Sequence, residues 1–136
     1  MRRLRRLSLP VAALATTSLA LLGCSSSEQP SYCDELSATE SSFEALVNTD
    51  ILAEGTDVLT ERYDAFAAQV SSLIDAAGDE FADESAAVEA SVDQVGAVVD
   101  EAANLNLGTA AEEAAPAVED LSSSTQALLD SVQNAC

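Results

Sequence analysis

A chain of 136 residues carries a formal net charge of -19, with 24 acidic residues, five arginines and no lysine or histidine. Four of the arginines (Arg2, Arg3, Arg5 and Arg6) precede Cys24 and every acidic residue follows it, so the body sets its carboxylates against Arg62 alone. Such a body repels nucleic acid, phospholipid head groups and anionic polymers, and leaves cations or basic surfaces as its natural counterparts.

Residues 1–7 form a positive stretch, and the apolar run that follows, interrupted by Pro10, spans about 15 residues. That is short for a membrane span but fits the apolar region of a signal sequence. The run ends in Leu21-Leu22-Gly23-Cys24. These four residues resemble the bacterial lipobox, with an aliphatic residue three before the cysteine and a small one immediately before it. The resemblance implies a signal peptide over 1–23, cleavage before Cys24, and a diacylglycerol on the Cys24 sulfur that attaches the chain to the membrane. An uncleaved anchor is the competing reading; in both, the arginines stay inside and the body lies outside the cytoplasmic membrane. Residues 24–30 then form the lipidated cysteine and a polar, flexible tether.

The body, 31–136, shows no strand alternation. A first helix is expected over 31–48, with Ser31 as N-cap and Tyr32, Leu36, Thr39, Phe43 and Leu46 facing inward. A loop over 48–55 would fold Ile51 and Leu52 back onto the core. The second helix runs over 56–77, where Leu59, Tyr63, Phe66, Val70, Leu73 and Ala77 recur at alternating steps of four and three. Gly78 stops it and Asp79 caps the third, expected over 79–104 with Phe81, Ser85, Val88, Val92, Val95, Val99 and Ala102 on its seam. After a turn at Asn106-Leu107-Gly108, Thr109 and Glu112 make a capping box for the fourth. Its seam is Ala114, Val118, Leu121, Thr125, Leu128, Val132 and Ala135, and Pro116 should kink it or divide it. Four amphipathic segments with short links predict an all-α fold, an up-down-up-down four-helix bundle.

With Cys24 assigned to lipid, Cys33 and Cys136 remain, and an even pair outside the cytoplasm reads as a disulfide. An up-down-up-down bundle brings the start of its first helix and the end of its last to the same end. A bridge there closes a loop of on the order of 100 residues, worth about 4 to 5 kcal/mol in the chain-entropy account. For a small domain with an alanine-rich core that is comparable to the whole net stability.

The missing histidine removes Ser-His and Cys-His nucleophilic pairs, the Glu-x-x-His di-metal pattern and most zinc sites. No P-loop, dinucleotide fingerprint or EF-hand loop is present. Asp79, Glu80, Asp83 and Glu84 form the densest carboxylate cluster, with pairs four residues apart on neighbouring helical strips, and are the candidate cation contacts. Acids in a first helical turn also complement the helix dipole, which is the stronger account. Arg62 has no carboxylate three or four residues away in its own segment, so a cross-helix ion pair or a stem shielding the core edge is expected. Tyr32 and Tyr63 read as core rather than as haem ligands. Thr39, Ser85 and Thr125 are polar seam residues that either bond back to helix carbonyls or line a cavity.

Leu21-Leu22-Gly23-Cys24, the serine-rich tether and the Tyr32-Cys33-Asp34 start of the body resemble the small, alanine-rich, acidic helical lipoproteins of actinobacteria. The resemblance implies a location on the outer face of the cytoplasmic membrane rather than an activity. The expectation is a non-enzymatic interaction or structural protein of the cell envelope, with no cofactor or resident metal. The alternative is a binding module for a cation or small cationic ligand.

Overall fold

A computed structural model describes residues 29–136, and the expected signal peptide, the expected lipidation site Cys24 and most of the expected tether lie outside them. Among the described residues the chain is all-helical, with α1 (Ser31–Val47), α2 (Ile51–Glu54), α3 (Thr56–Ala77), α4 (Ala82–Ala102) and α5 (Leu107–Ala135). None of these helices is long and apolar enough to cross a membrane.

α1 begins one residue earlier than its sequence suggests. Pro30, with extended backbone (ψ 140°), takes the N-cap position, and its carbonyl accepts from the Cys33 amide at 3.0 Å. Ser31 is therefore the first helical residue and not the cap. Tyr32, Thr39, Phe43 and Leu46 are buried as the periodicity requires, while Leu36 packs at the core's edge. The stretch expected as a loop contains α2, a single turn whose N-terminus is closed by Asp50, accepting from the Leu52 and Ala53 amides at 3.1 Å each. Glu54 reaches back to the Asp50 amide at 3.1 Å. This reciprocal capping orders four residues too few to form a helix unaided. It also corrects the expected lid: Ile51 touches the core but Leu52 is 64 % exposed.

α3 has the expected bounds, and its seam is buried apart from Tyr63, which is only partly covered. It ends at Gly78 (φ 58°, ψ -131°), a left-handed conformation that side chains resist. Asp79 does not cap the next helix. The chain makes a turn through residue 81 so that Phe81 enters the core, its ring 5.4 Å from that of Tyr32 in an edge-to-face arrangement. α4 starts only after that residue is placed. At the next junction Asn106 is the N-cap of α5, its Oδ1 accepting from the Thr109 amide at 3.0 Å while its amide group donates to the Thr109 hydroxyl at 2.9 Å. Thr109 is thus the capped residue and not the cap. Pro116 does not divide α5, which is continuous. It lies on the exposed face together with Glu112, where a carbonyl that loses its helical donor meets solvent.

The four long helices adjoin in a ring. α1 packs extensively on α3 and α4 on α5, whereas α1 meets α5 and α3 meets α4 along narrower seams. Phe43 stacks at 5.7 Å on Phe66 between α1 and α3. Between α4 and α5, Ser124 donates to Ser91 at 3.0 Å and Ser131 to Glu84 at 3.2 Å. The centre is Phe66, Leu73, Val88, Val95, Leu121, Leu128 and Val132, each essentially without solvent contact. Each such leucine, valine or phenylalanine contributes roughly 1.5–3 kcal/mol of burial. Cys33, in the first turn of α1, and Cys136, following α5, stand at disulfide distance with Cα atoms 5.8 Å apart.

Candidate functional site

The polar chemistry of the body divides between its two ends and two of its seams. At one end, the Tyr32 hydroxyl donates to Glu80 at 3.1 Å. Burial pushes the Tyr32 phenol above its ordinary pKa, and the hydrogen bond to Glu80 and that carboxylate's charge act in the same direction. The Cys33–Cys136 pair lies one residue from Tyr32.

The candidate cation contacts come apart in this geometry. Asp79 and Glu80 belong to the turn and Asp83 and Glu84 to the first turn of α4, so the helical strips expected from their spacing do not exist. Glu80 faces Tyr32 and Glu84 accepts from Ser131 on α5, in different directions. Among the described residues no group of three or more acidic, cysteine or histidine side chains converges on a point where a metal ion would sit.

Near the other end, Arg62 bonds to three different segments. Its Nη2 donates to Glu54 Oε1 at 2.8 Å, and its Nη1 reaches Glu54 Oε2, the Thr49 hydroxyl and the Ala45 carbonyl at 3.2 Å each. One guanidinium thereby joins α3 to the end of α1 and to α2, as the fork geometry of arginine permits. The expected cross-element ion pair is present.

Tyr63 crosses the α3/α4 seam and donates to the Val92 carbonyl at 3.1 Å. Burial raises its pKa, and the negative charges of Asp93, Asp64 and Asp100 raise it further. Gly96 makes room for this ring, since a Cβ there would overlap the Tyr63 hydroxyl. No local sequence signal marks this role of Gly96, because only the register between α3 and α4 reveals it.

The polar seam residues lie in the core: Thr39 donates to the Glu35 carbonyl at 2.9 Å, while the buried hydroxyls of Ser85 and Thr125 have no hydrogen-bond partner among the described residues. Three grooves open elsewhere. The α3/α4 seam holds one of about 290 Å³, with Glu89 and Asp93 on its α4 wall. Between α2 and α5 lies an alanine-lined one of about 360 Å³ that includes Ile51 and Leu52. The α1/α5 seam holds one of about 450 Å³, with Phe43, Val47 and Leu129 between Glu40, Glu44 and Asp130. The carboxylates of this last groove went unnoticed in the sequence. Glu40 and Glu44 are legible there as neighbours on one helix, but Asp130 joins them only through tertiary register.

Compared with models of protein families, with curated proteins and with solved structures, the chain matches none of them.

Proposed function

We propose that this chain is a lipid-anchored, extracytoplasmic protein of the cell envelope whose helical body docks a partner without catalysing a reaction. The carrying observation is the placement of Cys33 and Cys136 at disulfide distance, which leaves Cys24, behind its apolar run, as the remaining cysteine of three. A paired set suits an oxidising compartment, and the third cysteine suits acylation.

In this reading the four long helices run up-down-up-down, with α2 as an added turn. Cross-helix partners support it: Thr39 reaches Gln69 and Ala45 reaches Arg62, so positions rise along α1 as they fall along α3. The α4/α5 pairs Glu84–Ser131 and Ser91–Ser124 follow the same rule. The tether then joins the end that carries the cysteine pair and the Phe81 turn. The opposite end, with α2 and the start of α5, points away from the membrane. The cation-binding alternative has no comparable observation behind it.

Metabolic labelling with a fatty-acid probe, followed by mass spectrometry of the mature N-terminus, tests the anchor. Lipid on Cys24, and release of the Cys24→Ala chain from the membrane, are expected. An unmodified Cys24 still joined to residues 1–23 sinks the reading.

A further inference from the structure

The α1/α5 groove differs from the other two in carrying free carboxylates on both of its helices, with only the edges of core side chains between. Glu40 and Glu44 stand on α1 and Asp130 on α5, with Phe43, Val47 and Leu129 between them. No cation of the body is available to these carboxylates, because Arg62 is its sole basic residue and is held by Glu54. In the α3/α4 groove both acids lie on one wall. In the α2/α5 groove the acid is Asp50, already spent on capping α2.

We infer that the α1/α5 groove docks a basic amphipathic helix of a partner protein. Charge complementarity and spacing select this occupant. Glu40 and Glu44 are one helical turn apart, about 5–6 Å, which matches two lysines or arginines one turn apart on another helix. Asp130 receives a basic residue on the opposite flank, and the partner's apolar side chains meet the partly exposed Val47 and the edges of the buried Phe43 and Leu129, so the carboxylates carry most of the recognition. The cysteine pair joins the same two helices, and so fixes the separation of the groove's walls before a partner arrives. The inference rests on the proposed docking role and names the surface and partner chemistry for it.

The probe is a labelled leucine-lysine peptide of about five helical turns, with leucines on one stripe and lysines flanking it. It is titrated at physiological ionic strength onto the full chain held in zwitterionic nanodiscs, with a scrambled peptide of equal charge as control. The Glu40→Gln, Glu44→Gln, Asp130→Asn triple variant should weaken binding about tenfold. A triple of equal charge change elsewhere, Glu61→Gln, Glu101→Gln, Glu119→Gln, should change it by less than about twofold. Equal loss in both triples, or no preference over the scrambled peptide, overturns the inference. So does a dodecyltrimethylammonium probe that binds as tightly with the same groove dependence, or a dimer that the groove triple dissociates. Repeating the titration on the Cys24→Ala chain without nanodiscs separates the two readings. Groove-dependent binding alongside failed lipid labelling leaves the groove and removes the anchor, and the reverse pattern leaves the anchor alone.

Discussion

Thr125 is fully enclosed, and its hydroxyl has no partner among the described residues. A buried polar atom in that state has lost its hydrogen bonds to water and gained none, while its methyl group packs normally. Thr125→Val keeps the shape and removes the orphan, so it should stabilise the body by about 1 kcal/mol in urea unfolding. The two tyrosines give a second prediction at this scale. Both phenols are held above the ordinary value of about 10, chiefly by burial, with Glu80 acting on one and Asp93, Asp64 and Asp100 on the other. A raised pKa means that the folded state favours the neutral phenol. The stability this provides is fully present below about pH 10 and is lost as pH rises through the folded-state values. With two tyrosines and no tryptophan in the chain, ultraviolet titration of tyrosinate should follow these groups directly and should ionise later in the folded protein than after unfolding.

Among the elements, α2 depends most on side-chain contacts rather than on its own length. Its four residues are held by Asp50 at the N-terminus, by Ile51 against the core and by Arg62 gripping Glu54. The ion pair is about one-third exposed on each side, so solvent screening keeps its contribution to global stability small. Arg62→Met should therefore cost less than about 1 kcal/mol overall, yet the Leu52 and Ala53 amides should exchange markedly faster with deuterium. Arg62→Lys should not restore protection, because a single ammonium cannot span Glu54, Thr49 and the Ala45 carbonyl together. The long helices were legible from their apolar period, and α3 in its bounds as well. Their starts were less so: Ser31, Asp79 and Thr109 each carry a capping side chain, and each was displaced. Pro30 and Asn106 took two of these positions by local backbone and side-chain geometry, and the burial of Phe81 delayed the third.

At the scale of the molecule, two closely packed helix pairs meet along two looser seams, and the cysteine pair crosses one of them. Its two residues are 103 apart in sequence, so a bridge closes nearly the whole body into one loop. Reduction, or the paired Cys33→Ala and Cys136→Ala change, should lower stability by about 4 kcal/mol and move the denaturant midpoint accordingly. Free thiols in protein isolated from its native host would refute the bridge.

Composition and period by themselves determined that the body is helical and where most of its core stripes lie, because these follow from local spacing. Tertiary structure alone decided that Glu80 and Glu84 face different partners, that Gly96 yields to Tyr63, and that Asp130 shares a groove with Glu40 and Glu44. Each of those facts depends on the register between helices far apart in the chain. Register is set by how whole faces interlock, and no single segment contains it.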